Sequence, residues 1–293
     1  MKYTTASAFS QALTQAIARL SRETRQSIPR IRRKIAFDRI LARLTAVAPE
    51  GWLLKGGVAL EYRLGNAARA TTDMDLSVQN GEAIKSLLRQ ITEKELNDYF
   101  TVRILAEPEK PIVQDVNVYR WSLELQLDGK RFEHLTLDIG VADLFVGTPD
   151  ALRAEPLLAF ADIEPPLIRA IPIEQHIAEK LHAYGRTYND RESTRVKDLV
   201  DLLLLSSYRE ISGETLRTAI ENVFVARATA LPVTFALPPT SWDIPFRSLT
   251  VALDVTRDFL EAHEMVAGFL DPILLPQSVA VRGRWNPNFR NWT

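Results

Sequence analysis

The sequence predicts an α+β fold: a mixed β-sheet flanked by helices, followed by a mostly helical C-terminal domain. Three observations carry this. Strand-like and helical runs alternate from residue 52 to about 108, and two alternating strands then flank the turn "DGK". Beyond the proline-rich stretch "IEPPLIRAIPI" the apolar period is almost entirely helical. That stretch marks a boundary, giving expected domains over 1–165, with basic N-terminal helices, and 166–293.

The elements follow in order. Residues 7–20 and 31–48 repeat apolar positions every three or four residues, as in "IRRKIAFDRILARLTAV", and read as two helices. "GWLLKGGVALEYRLG" is a short apolar run, a glycine pair and a helical pattern stopping at Gly65. "DMDLSV" reads as a strand, 81–98 as a polar amphipathic helix, and "YFTVRILAE" as a strand again. "NVYRWSLELQLDGKRFEHLTLDIG" alternates apolar and polar residues on both sides of its turn, as a hairpin does. Helices are expected over 173–187, 193–206, 213–229 and 246–268.

Composition narrows the class. The 293 residues are 46% hydrophobic and 25% charged, ordinary values for a globular chain with a sizeable core. No run of apolar residues is long enough to cross a membrane, and the N-terminus is a poor secretory signal. The absence of cysteine excludes disulfides and thiolate zinc sites, and is compatible with a cytoplasmic location. The net charge of −1 hides an asymmetry: residues 1–50 hold ten Lys/Arg against Glu23, Asp38 and Glu50. Such a segment is either a solvated helix face or an electrostatic footprint for nucleic acid. The tail "VRGRWNPNFRNWT" poses the same choice, with Arg282, Arg284 and Arg290 beside Trp285, Phe289 and Trp292. Its aromatics either pack on the body or contact nucleic acid.

The chemistry gathers in "RATTDMDLSV". On a strand, residues i and i+2 face one way, so Asp73 and Asp75 share a face while Met74 and Leu76 point into the core. Two carboxylates this close favour a cation between them. Hard ions such as Mg²⁺ accept one or two carboxylates and fill the remaining positions with phosphate and water. Gly56-Gly57 lies between a strand and a helix, where backbone N–H groups can meet an anion; a tight turn is the plain alternative. A P-loop is excluded by the missing G-x-x-x-x-G-K-[ST] spacing. Asp138, in "FEHLTLDIG", adds a third carboxylate on a strand able to lie beside the first. Such a set has the parts for two-metal phosphoryl displacement. In the helical half, Lys180 lies on an amphipathic pattern with Ile173, Ile177, Leu181 and Tyr184. It is either a surface lysine or a partner for triphosphate. Asp198 and Asp201 stand one turn apart, forming a salt-bridged face, orienting Lys180, or binding base and ribose. His182 reads as packed.

The order of a glycine pair, D-x-D on the next strand and a lone Asp on a later one resembles the DNA polymerase β nucleotidyltransferase superfamily. More narrowly, "LLKGGVALEYRLG", "RATTDMDLSV", "LTLDIG", "IEQHIAEKLHAYG" and "RVKDLVDLLLL" resemble the AbiEii/MenT-type nucleotidyltransferase toxins of bacterial toxin–antitoxin systems. The resemblance spans roughly residues 52–205 and implies a nucleotidyltransferase-like sheet whose cleft the helical domain completes. It implies that Asp73 and Asp75 ligate two metal ions, Mg²⁺ with Mn²⁺ as an alternative, which hold an NTP. Asp138 would complete the metal site and help deprotonate the acceptor. Gly56 and Gly57 would cradle phosphates with Lys55, and Arg69 and Thr71 match the R-x-T-x-D-x-D lead-in. Lys180, Asp198 and Asp201 match the helical motifs. The implied reaction moves a nucleoside monophosphate to an acceptor hydroxyl and releases pyrophosphate. RNA is the implied acceptor, with the tRNA 3′ end favoured, and a cognate antitoxin is the implied partner. Nucleotidylation of a protein hydroxyl and a non-catalytic nucleotide-binding module are the alternatives. Val58 departs from the Ser or Thr common after the glycine pair, which removes a side-chain hydroxyl from that position.

Overall fold

The computed structural model describes residues 1–108, 118–141, 147–186, 195–275 and 277–293. Its contacts divide the chain into two compact units. The first comprises Met1–Asn66, Ala70–Asp143 and Ala151–Ala170; the second comprises Ala67–Arg69, Leu144–Asp150 and Ile171–Thr293. No helix among the described residues is long and apolar enough to cross a membrane.

The first unit opens with helices α1 (Ala6–Thr24) and α2 (Ile28–Val47). Both starts are capped by hydroxyls: Ala8 N–H donates to Thr5 Oγ1 and Arg30 N–H to Ser27 Oγ, relieving first-turn donors. Then come β1 (Trp52–Lys55), α3 (Gly56–Leu64), β2 (Asp73–Val78), α4 (Ile84–Glu93), β3 (Phe100–Ala106), β4 (Val118–Leu127), β5 (Lys130–Val141), β6 (Asp150–Arg153) and β7 (Leu167–Ala170). The strands form one mixed seven-stranded sheet in the order β3-β4-β5-β2-β1-β7-β6. The pairs β2/β5 and β1/β7 are parallel; β1/β2, β4/β5 and β3/β4 are antiparallel. One face is apolar and buried: Leu54, Met74, Leu76, Trp121, Leu123, Leu135, Leu137 and Ile139 join α2 residues Ile35, Ile40 and Leu44 in the core. The other face carries the polar alternates.

Most basic side chains of α2 are used inside this unit. Arg43, 1% exposed, grips Asp98 through Nη1 at 3.0 Å and Nη2 at 2.8 Å. Arg39 is buried against Asp38 and Asp98, and Arg30 meets Glu61. Lys34 meets Glu155, while Arg32 lies over the Phe132 ring, 4.2 Å from its centroid. The nucleic-acid reading of the basic first segment therefore contracts to the exposed Arg19, Arg22 and Arg25 of α1 and its end. The same network corrects the helix expected over 81–98. Residues 81–83 are a 3-10 turn, α4 ends at Glu93, and Asn97 and Tyr99 turn through positive φ. That path brings Asp98 to Arg43.

The hairpin between β4 and β5 turns on Asp128 and Gly129, at φ of 53° and 68°, as a two-residue turn with both central residues left-handed requires. A register shift at Leu125/Gln126 inserts one extra residue on β5.

The second unit holds α5 (Ile173–Tyr184), α6 (Val196–Ser206), β8 (Ile211–Ser212), α7 (Gly213–Ala226), α8 (Asp243–Thr250), α9 (Phe259–Leu274), β9 (Arg284–Asn286) and β10 (Asn291–Trp292). Helices expected over 173–187 and 193–206 reach into positions 187 and 193–194, which lie outside the described residues. The single helix expected over 246–268 is two. The Asp258 side chain accepts from Leu260 and Glu261 N–H groups and starts α9 afresh. The tail packs: Trp285 Nε1 donates to Ser206 O at 2.6 Å, and Trp292 stacks on Phe269 at an interplanar angle of 3°. Phe289 and the three tail arginines stay exposed.

Candidate active site

The sheet register of the first unit sets out its polar face as a grid. One row reads Lys55, Asp75, Asp138 and Arg120 on β1, β2, β5 and β4, each directly opposite the next. The adjacent row reads Asp73, Thr136 and Ser122 on β2, β5 and β4. Strands about 4.8 Å apart put neighbours in a row within side-chain reach. The three candidate carboxylates thus share one face, Asp73 and Asp75 from β2 and Asp138 from the parallel strand beside it.

Arg120 engages Asp138 as a fork, Nε to Oδ1 at 2.8 Å and Nη2 to Oδ2 at 2.7 Å. The guanidinium is half exposed and the carboxylate nearly buried. The hydrogen bonds that Arg120 donates to Asp138 raise the Arg120 pKa further above its ordinary value, and the charges of Asp138, Asp73 and Asp75 add to the effect against partial burial. Among the described residues, no three Asp, Glu or His side chains converge closely enough to hold a metal ion. The carboxylates are brought to one face, and Asp138 is turned to an arginine.

The glycine pair serves this face at close range. A Cβ on Gly56 would lie 2.6 Å from Asp75 Cγ, and one on Gly57 would lie 2.7 Å from Thr71 Cβ. Gly56 also has φ of +62°, which L side chains rarely adopt. The missing Cβ atoms admit the Asp75 carboxylate and the Thr71 hydroxyl against the start of α3. The Lys55 ammonium reaches across β2 to β5, lying 3.4 Å from the Cβ position of Gly140. Val58 is fully buried, so it is core.

The other candidates cluster in the second unit. Asp201, 0% exposed, takes Arg69 Nε at 2.7 Å and Nη2 at 2.8 Å, and Lys180 Nζ at 2.7 Å. Lys180 Nζ also meets Asp198 Oδ1 at 3.0 Å, and Arg195 approaches the other Asp198 oxygen at 3.7 Å. Burial alone would raise the Asp201 carboxyl, but Lys180 and Arg69 outweigh it and hold its pKa down to about 2. The same acids raise Lys180 against the opposing pull of burial. This geometry is compatible with a salt-bridged face and with orientation of Lys180 alike. His182 packs edge-on against Phe224 and bonds Thr229.

Arg120 is the site residue that sequence reasoning missed. Counting back from the Asp128-Gly129 turn without a bulge pairs Arg120 with Leu137, which points the other way. The signal was the apolar spacing of β5, where Phe132 and Leu135 stand three apart and both face the core. Only an inserted residue reconciles that spacing with period two.

Comparison with known proteins gives the following. The family described as nucleotidyl transferase AbiEii toxin, type IV toxin–antitoxin system, matches residues 39–283. Among solved structures, the MenT4 nucleotidyltransferase toxin of Mycobacterium tuberculosis H37Rv aligns at a TM-score of 0.61 and 17% identity, covering 90% of this chain and 91% of its own. A Helicobacter pylori protein, JHP933, aligns at 0.45 and 16% identity, covering 80% and 89%. No curated protein matches. The MenT4 likeness shares the fold, and the family match spans most of the chain. The chain belongs to the AbiEii family of nucleotidyl transferase toxins of type IV toxin–antitoxin systems, and it is a nucleotidyltransferase.

Proposed function

We propose that this enzyme transfers a nucleoside monophosphate from an NTP to an acceptor hydroxyl of RNA, the tRNA 3′ end by preference, and that a cognate antitoxin restrains it. The observation that carries the proposal is the register placing Asp73, Asp75 and Asp138 on one polar face beside the Gly56-Gly57 turn.

The donor chemistry suits a divalent ion, although the three carboxylates share a face without converging while Asp138 is held by Arg120. Carboxylate oxygens are hard ligands, and the Cβ-free turn leaves Asp75 room beside backbone N–H groups suited to phosphate. Asp73, Asp75 and Asp138 would hold Mg²⁺, or Mn²⁺ in its place. When bound, such an ion neutralises triphosphate charge and assists displacement at phosphorus. The chain's own groups do the rest. The first N–H groups of α3 donate to phosphate oxygens, and Lys55 adds positive charge to the same face. Asp138 is assigned to accept the proton of the acceptor hydroxyl. Arg69, Thr71 and Lys180 belong to the nucleotide-binding set of the same proposal, with Asp198 and Asp201 fixing Lys180. Catalysis is mainly positioning and charge neutralisation. The acceptor grip is assigned to exposed arginines and the exposed Phe289 of the tail, which suit phosphate and base contact.

The test is incubation of the purified chain with each labelled NTP and either total RNA or cell protein. Label is expected on tRNA-sized RNA, and none with Asp73→Asn or Asp75→Asn, both of which should melt at or above the wild-type temperature because a like charge is removed. Label on protein instead would favour protein nucleotidylation, and no transfer to either substrate would sink the proposal.

A further inference from the structure

We propose that Arg120 is a positioning residue that competes with the divalent cation for Asp138, so that the carboxylate set is completed only when Arg120 lets go. This rests on the nucleotidyltransferase reading above and deepens it.

Three observations carry the inference. The Arg120 fork uses both Asp138 oxygens, at 2.7 and 2.8 Å, which leaves neither favoured lone pair for a second cation in that arrangement. The partners differ in freedom: the Asp138 side chain is 12% exposed and set in mid-strand, whereas the Arg120 side chain is 49% exposed. Release therefore means movement of the arginine into solvent, with no change in the sheet. Finally, the placement is built by the backbone. The inserted residue on β5 moves Arg120 from opposite Leu137 to opposite Asp138. Asp73 and Asp75 lie close enough to add their fields to that of Asp138 at the guanidinium. Arg120 is thus a resident monovalent stand-in at the place where a divalent ion is called for. It limits repulsion among the three acids before substrate arrives, and a free metal ion must displace it.

A half-exposed ion pair is a weak competitor, so the effect is modest and measurable. Removing Arg120 should tighten cation binding by up to about fivefold. The experiment is calorimetric titration of the full chain with Mn²⁺, without nucleotide, for wild type, Arg120→Ala, Asp138→Asn and the double variant. Arg120→Gln stands in should Arg120→Ala fail to fold. The expected result is tighter Mn²⁺ binding on loss of Arg120 in the wild-type background, and no gain when Asp138 is already Asn. Unchanged or weaker binding would overturn the inference, as would an equal gain in the Asp138→Asn background, which would mark a general charge effect. If neither wild type nor Arg120→Ala binds Mn²⁺, the metal-dependent reading falls together with it; if both bind equally, only the Arg120 role falls.

Discussion

Gly56 concentrates the demands of the site on one atom that is absent. Its φ of +62° is strained for an L residue, and a Cβ there would press into the Asp75 carboxylate. Gly56→Ala should therefore cost about 1–3 kcal/mol through overpacking and displace Asp75 as well. We expect a lower melting temperature together with a loss of transfer at least as complete as in Asp75→Asn. A variant that melts low yet transfers normally would show that Asp75 tolerates displacement. Residues of this kind were legible in the sequence to different degrees. Asp73 and Asp75 stood out because period-two alternation sorts a strand's faces without any tertiary knowledge. The partners of Gly56 and Gly57 were not legible: the pair was read as a phosphate grip, while its nearest neighbours are Asp75 and Thr71. Arg120 was hidden because its partner depends on a bulge formed on the other strand.

Among the elements, α5 and α6 are tied by charge as well as by their leucines. Asp201 is fully buried and answers two cations, so Asp201→Asn leaves Lys180 and Arg69 short of a counter-charge. Breaking such a pair costs about 3–5 kcal/mol. The pH dependence follows from the depressed pKa. Unfolded, this carboxyl titrates near 3.9; folded, it is held at about 2. Its stabilisation is therefore complete above about pH 4 and is lost as pH falls from there toward 2. Denaturant titrations of wild type and Asp201→Asn should differ by several kcal/mol at neutral pH and converge across that acid window. A gap independent of pH would assign the loss to packing. Element type was readable from periodicity throughout, but element ends were not. The helix over 246–268 looked continuous because Val251, Leu253 and Val255 sustain an apolar pattern across the break. The Asp258 cap, a single side chain, decides otherwise.

For the whole molecule, the sequence showed a basic first segment without showing where its charge is spent. Arg39 and Arg43 neutralise Asp38 and Asp98 in the core, an assignment that depends on a partner some 55 residues away in sequence. RNA binding should thus depend on the exposed arginines. Arg282→Gln with Arg284→Gln is expected to flatten the dependence of log affinity on log salt by about 0.7–0.9 per lost phosphate contact, with NTP affinity unchanged. A slope identical to wild type would make the tail arginines solubilising groups. One feature of the sheet reaches further. Its interior strand β1 is held by β2 on one side and by β7 on the other, through Leu54 and Ala170, and Asp75 meets Asp138 only when β5 docks in parallel. Pairings this distant in the chain close late. A ribosome that has released only the first hundred residues has therefore produced the D-x-D strand without its neighbour. On the proposed assignment of Asp138, a chain still in synthesis would lack a complete carboxylate set, and a message truncated before β5 would yield a fragment unable to transfer.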